Sequence, residues 1–443
     1  MKASLGPRKQ KKNKWLIPIT ILLVALLIEI YFKEFLYDSS RKSIIKLQEK
    51  ILDSDGNQIS KSSKLFSRII QIIFYIQNTN LLYFLICSLL YNFLNVYKIF
   101  ILYSSILLSN FFSSIFSFIF HTPRPFMVDS RIFPLGFVCS EWGSPSREIV
   151  TIISFYLTLY HILTHNKYME KLKKLKIFIV IFLCFLTICF LFLQFFSGVV
   201  SFDQILFSIF LGVFCYFLIF SLLNVDVDDP KQLYILIRFK MLYYLPINLF
   251  IGIFLFILYT QITNSEELAY YRSNIELQIG KSIDFDDIFS KYTKNSKHFY
   301  MLDNGVICNI ICFFCNIPII LGLKYEYFSI YKKNFSTWAK NNFGTYDALD
   351  NFSIFNDYKF IEETQWYKTS IIKTIIRIIL NVILCILCLI PMIIPAKIEF
   401  FMNNEIFFFI FYTGLPLFLI SFGNFYFFKV IYRLFGLTKK IRD

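Results

Sequence analysis

Apolar stretches long enough to cross a bilayer alternate along this chain with short polar ones. About ten such segments are legible, near 15–32, 81–97, 99–120, 147–164, 177–196, 203–223, 241–262, 304–323, 370–395 and 405–428. The stretch 65–76 is apolar but short and carries Arg68, which suits an interfacial segment or a continuation into the second span. Only Lys98 separates the second span from the third, so that pair is expected as a tight helical hairpin. The pattern predicts an all-α polytopic membrane bundle of about ten helices.

Composition supports that reading. The 443 residues are 56% hydrophobic and 20% aromatic, more than a soluble chain of this length carries. Phe, Ile, Tyr, Lys and Asn are abundant while Gly and Ala are scarce, a bias expected of an AT-rich coding genome. Runs of Phe and Ile therefore say little about function. The net charge of +15 reads as cytoplasmic anchoring charge. No basic stretch is interleaved with a recognisable nucleic-acid fold, so no nucleic-acid partner is expected. Apart from Cys139, the cysteines lie in or at the edge of apolar runs, including the pairs Cys312/Cys315 and Cys385/Cys388. Hydrocarbon opposes the ionised thiolates a metal would need, so they read as small packing residues. Neither a metal nor a cofactor is expected.

The first apolar run is longer than a signal-peptide core and no small-residue cleavage site follows it, so it reads as an uncleaved span. Lys2, Arg8, Lys9, Lys11, Lys12 and Lys14 place the N-terminal tail in the cytoplasm. Counting crossings puts the basic loop 165–176 and the C-terminal tail, with Lys429, Arg433, Lys439, Lys440 and Arg442, on the same side. Loop 263–303, with several acidic residues, falls on the other side, and the long polar loop 324–368 falls in the cytoplasm. The net basic loop 33–80 is assigned outside, against the charge rule.

Charged residues at span ends are where a membrane protein keeps its chemistry. Three short segments stand out: "FHTPRPF" (120–126) ends the third span, "EWGSPSREIV" (141–150) opens the fourth, and "LQFFSGVVSFDQILF" (193–207) turns from the fifth into the sixth. The topology sets all three on the non-cytoplasmic face, where they can converge.

In order, spacing and span position this trio resembles the type 2 phosphatidic acid phosphatase family, whose motifs read K-x6-R-P, P-S-G-H and S-R-x5-H-x3-D. The resemblance covers roughly residues 81–223 and implies a six-helix core. It divides the chain into 1–80 (basic tail, first span and loop), 81–223 (the phosphatase-like membrane domain) and 224–443 (four further spans without a motif). It also implies phosphoryl transfer through a phosphohistidine. One histidine attacks, an acidic side chain orients it, a second histidine protonates the leaving group, and a lysine, two arginines and backbone amides at a helix start hold the phosphate.

Position by position, Arg124 and Pro125 match the first motif, and Ser117 stands where its lysine would be. Pro145 and Ser146 match the second, but its glycine is Arg147 and its acid histidine is Glu148. In the third, the arginine position is Gln194, the nucleophile position is Val200 and the acidic position is Gln204; glutamine at that last position occurs within the family. Valine cannot attack phosphorus. Of the four histidines, only His121, three residues before Arg124, lies near the presumed pocket, and a shifted nucleophile misplaced by about an ångström loses roughly a hundredfold in rate. The resemblance leaves Arg124, Ser146, Arg147 and Gln194 as phosphate-binding candidates and His121 as the weak catalytic one. Arg147 and Glu148 equally suit a local polar pair at a helix start, where a carboxylate favours the helix dipole.

The function expected is that of a catalytically degenerate pseudophosphatase of the endoplasmic reticulum, motif face lumenal, contacting membrane lipids and holding a phosphorylated lipid or sugar without cleaving it. The alternatives are an active phosphohydrolase with rearranged residues, a structural subunit with a membrane-protein partner, or a transporter. The topology makes a prediction of its own. The triplets beginning at Asn334 and Asn351 lie in a cytoplasmic loop, so neither asparagine carries a glycan; a glycosidase-sensitive shift in mass at either site would overturn the topology.

Overall fold

The computed structural model describes residues 15–50, 80–132, 142–164, 173–223, 250–255, 314–326, 367–393 and 410–438, with single residues at 246 and 257. Among these the chain is helical and contains no strand. The helices are α1 (Leu16–Tyr31), α2 (Lys33–Gln48), α3 (Leu81–Leu90), α4 (Val96–Phe120), α5 (Arg147–Thr164), α6 (Lys173–Phe196), α7 (Phe202–Leu223), α8 (Asn316–Glu326), α9 (Ile371–Leu389) and α10 (Ile410–Leu434). Among the described residues five helical segments are long and apolar enough to cross a membrane, or six if the bent pair α1–α2 counts as one span. The chain is an integral membrane protein. The sugar-addition triplets, Cys139 and the loop 263–303 lie outside the described residues.

Three expectations need correction. The hairpin does not turn at Lys98. The Asn95 side chain accepts the Lys98 backbone N–H at 2.8 Å and caps α4, which puts Lys98 inside the first turn, buried. The break lies at residues 91–95, and α3, at about 15 Å, covers only half a bilayer. The expected loop 33–80 begins instead with α2, bent by 69° from α1. In α2 the residues Ser40, Ile44 and Gln48 repeat every four positions and are buried, while Lys42 and Lys46 are exposed, so one stripe packs and the other faces outward. The last span runs on to Leu434 and contains π turns at Ile410–Gly414 and Gly423–Phe427.

The centre of the bundle is formed by α1, α4, α5 and α7. Small side chains on α4 (Ser105, Ser109, Ser113) and on α5 (Thr151, Ser154, Thr158) let the two backbones approach, and Ser109 Oγ donates to Thr151 Oγ1 at 3.2 Å. Outside this group lies α6, with Ile177, Phe178, Ile181, Phe185, Ile188 and Phe192 exposed along it as a lipid-facing stripe. A similar stripe, Ile372, Ile375, Ile379, Ile383 and Ile386, runs along α9.

One apolar cluster joins α3, α4 and α5 to α8, α9 and α10 through Phe84, Tyr103, Phe155, Ile319, Leu417 and Phe425. A buried polar network lies inside it. Asn381 Nδ2 donates to Ser88 O (3.1 Å) and Tyr432 OH (2.9 Å), while Ser88 Oγ lies 2.9 Å from Asn381 Oδ1 and 2.8 Å from Asn424 Oδ1. A single hydroxyl proton serves one oxygen at a time. The network is complete when Asn424 turns its NH₂ to Ser88 and its oxygen to the Tyr103 hydroxyl, 2.7 Å away. The N-terminal part of α9 holds the end of α10. Gly436, at φ +64°, closes the helix with Leu437 N–H on Tyr432 O, and Arg377 Nη1 and Lys373 Nζ donate to the carbonyls of Leu437 (2.9 Å) and Gly436 (2.8 Å).

Asn381→Ala removes three contacts of this network and leaves Ser88 and Tyr432 short of a partner. The expected loss is about 1–3 kcal/mol, read as a lower midpoint of thermal unfolding in detergent.

Candidate functional site

All three motif segments meet at one end of the central helices. Helix α4 ends at His121, which adopts a left-handed φ of +46° and presents its ring edge to Trp142, 5.4 Å between centroids. Beyond it Thr122, Pro123 and Arg124 lead into a single helical turn, Pro125–Val128. The approach to α5 is tied to this segment by Gly143 N–H, which donates to Thr122 O at 2.7 Å. Helix α6 ends at Gly198, whose φ of +72° lets Val199 N–H reach Gln194 O and Gly198 N–H reach Phe195 O, both carbonyls that a helix end would leave unpaired. The next helix, α7, starts at Ser201 with half of a capping box: Gln204 Oε1, three residues on, accepts the Ser201 N–H at 3.1 Å.

Gln204 is the centre of this junction. Its Nε2 donates to Pro123 O at 2.9 Å, which joins the third motif to the first, and its amide lies directly against the Gly143 backbone of the second. Ser208, one turn along α7, accepts the Ser146 N–H at 2.7 Å and passes its own proton to Gln204 O. Arg124, fully buried, donates through Nη1 to Val199 O at 3.3 Å. The three segments therefore converge, and Arg124 touches the turn that carries Val200.

Val200 itself is fully buried. It belongs to an apolar cluster with Phe126, Met127, Ile149, Phe195, Phe196 and, from α2, Ile44. Helix α2 lies over this turn: Ser40 Oγ accepts the Phe202 N–H at 2.8 Å, a free donor at the start of α7, and Gln48 Nε2 donates to Phe196 O at 3.1 Å. Arg41 Nε pairs with Asp129 at 3.1 Å. The hydrogen bonds from Arg131, with Arg41 adding to them, hold the Asp129 carboxyl below the usual carboxylate range.

At the start of α5 the Glu148 carboxylate accepts from Ser146 Oγ at 2.8 Å and from Arg147 Nη2 at 3.1 Å. All three residues are buried, and Arg124 lies within electrostatic reach of the same carboxylate. Gln194 is buried as well, and its Oε1 has no hydrogen-bond partner among the described residues. His161 lies at the far end of α5, its Nδ1 2.9 Å from Tyr216 OH; His165 and His298 are outside the described residues.

Sequence reasoning missed two buried carboxylates at this end. Glu29 of α1 accepts from Thr122 Oγ1 at 3.1 Å, and Asp203, second residue of α7, lies within electrostatic reach of Glu29. Glu29 sits in the last turn of an otherwise apolar first span, and that position is the signal that could have found it. Asp203 lies within the third motif segment.

Residues 98–227 match the family model described as the PAP2 superfamily, in agreement with the resemblance that the three motif segments carry. No curated protein and no solved structure matches the chain.

The junction can be tested at Gly143. A methyl group there would lie 2.6 Å from the Gln204 amide carbon and drive the amide off both Pro123 O and Ser201 N–H. Gly143→Ala is expected to cost about 1–3 kcal/mol in thermal or denaturant unfolding, and Gln204→Ala in the same protein should relieve the clash, so the two costs are not additive.

Proposed function

We propose that this member of the type 2 phosphatidic acid phosphatase superfamily is a catalytically silent membrane protein, a pseudophosphatase. The observation that carries the reading is Val200. It occupies the position at which the resemblance requires a nucleophile, and it is fully buried in an apolar cluster that includes Ile44 and Phe126. Glu148, at the position of the acid histidine, is engaged by Ser146 and Arg147. The ring of His121, the weak candidate for a replacement nucleophile, stands against Trp142 at the end of α4.

In this reading Arg124, Ser146, Arg147 and Gln194 mark the place where the headgroup of a phosphorylated lipid or sugar would be held without cleavage. The motif face is lumenal, the termini are cytoplasmic, and the compartment is the endoplasmic reticulum. The lipid-facing stripes of α6 and α9 are open to membrane lipid or to a partner membrane protein.

Purified protein in detergent is expected to release no phosphate above background from phosphatidate, sphingosine-1-phosphate or glucose-6-phosphate. Val200→His alone stays silent too, because the acid position remains Glu148. Release by the unaltered protein that disappears in His121→Ala would sink the reading and establish a rearranged enzyme.

A further inference from the structure

An ion pair inside a membrane bundle is stable only when each charge is matched and its remaining hydrogen-bonding capacity is used. Glu148 meets both conditions in an unusual way. Its two oxygens are taken by different donors, Oε1 by Arg147 Nη2 and Oε2 by Ser146 Oγ. The second cation, Arg124, comes from the segment after α4, a different part of the chain, and lies within electrostatic reach of the same carboxylate. Glu148 is also in the first turn of an eighteen-residue helix, where backbone N–H groups and the helix dipole favour negative charge. Two buried guanidiniums, a hydroxyl and a helix start are the equipment of an oxyanion site, and the negative group at their focus is a side chain of the chain itself.

We infer that Arg124, Arg147 and Ser146 form a latent site for a tetrahedral oxyanion, and that Glu148 closes this site by placing its own carboxylate where the anion would sit. The inference rests on the proposal that this end of the domain is a phosphate-holding site, and it deepens it: a phosphorylated headgroup is held there only when it displaces the Glu148 carboxylate. The substitution of a glutamate for the acid histidine removes a proton donor and also occupies the pocket. A free oxyanion arriving at the site has to displace a carboxylate bound to its own backbone, which is present at a far higher effective concentration than any dissolved ion. A carboxylate and a phosphate monoester accept the same donors, Arg in particular taking either, so one replaces the other without rearranging the cations. Ile44 and Ser40 of α2 are buried against the adjoining turn.

The test uses the full chain in detergent and reads the unfolding midpoint with and without orthophosphate, vanadate or a short-chain phosphatidate, against chloride at equal ionic strength. The unaltered protein is expected not to respond to orthophosphate or vanadate at about 10 mM, while Glu148→Gln gains about 2–4 °C under the same conditions. The gain disappears when Arg124→Gln is added to Glu148→Gln. A response of Glu148→Gln to orthophosphate supports a site that admits the free ion. A response to phosphatidate alone supports one that admits only a lipid headgroup. A well-folded Glu148→Gln that ignores every anion, or an unaltered protein stabilised as much as the variant, overturns the inference. If Glu148→Gln yields no folded protein, Glu148→Gly is prepared with and without acetate or orthophosphate. Recovery of folded protein by either anion is then expected, and failure of both overturns it. Phosphate release by the unaltered protein would sink the non-catalytic reading alone, because occupancy by Glu148 is read from anion binding and not from turnover.

Discussion

A polar group buried in a membrane bundle has no water to fall back on, and its partners must come from the protein. Most of this architecture follows from that constraint. At the motif end, the amide of Gln204 receives the start of α7 on one side and grips the segment after α4 on the other, against a glycine that leaves it room. At the other polar centre, Asn381, Ser88, Asn424, Tyr103 and Tyr432 close a network across α3, α4, α9 and α10. The carbonyls at the end of α10 are taken up by Arg377 and Lys373. The surfaces left to lipid, on α6 and α9, carry Ile and Phe. Each polar centre joins elements far apart in sequence, so satisfying hydrogen bonds and fixing the tertiary fold are the same event here.

The same constraint shapes the electrostatics of the candidate site. A pocket for a phosphate monoester needs an excess of positive charge, and the resemblance implies a lysine and two arginines for it. In this chain Ser117 replaces the lysine, Gln194 one arginine and Glu148 a neutral or cationic histidine, while Arg147 adds one cation back. Glu29 and Asp203 add two buried carboxyl groups at the same end of the helices. Breaking a buried pair such as Arg147–Glu148 by removing one partner costs about 3–5 kcal/mol, whereas the intact pair contributes little net stability. Such a pair is therefore poor evidence of a stabilising design and better evidence that the surrounding charges had to be balanced.

Much of this was legible in the sequence. The starts of α5 and α7 fall at or beside the predicted residues, because Ser146 and Ser201 precede apolar runs of spanning length. The convergence of the three motif segments was legible from their positions at span ends. The turn at Lys98 was misread because a lysine between apolar runs looks like a loop, whereas the Asn95 cap three residues earlier settles where the helix begins. Helix α2 was hidden because its buried stripe is built from Ser40, Ile44 and Gln48, two of them polar, and a hydropathy pattern does not reveal polar residues that pack. The roles of Glu29, Asn381 and Gln204 depend on partners up to hundreds of residues away, which no local pattern reports.

Three motif positions, two that match the family pattern and one that departs from it, hold the fold together. Arg124, Ser146 and Gln204 each hold a bond between motif segments: to Val199 O, to Ser208 and to Pro123 O. A change at any of them would loosen the junction on which four helices depend. Val200 and Glu148 stand where the resemblance places the attacking and proton-donating groups, whose work is done on a substrate and not on the fold. At the first of these a β-branched apolar residue joins the core beneath Ile44; at the second, a carboxylate neutralises the arginine beside it. Each side chain suits its buried surroundings: an apolar one where the neighbours are apolar, an anion where they are cationic.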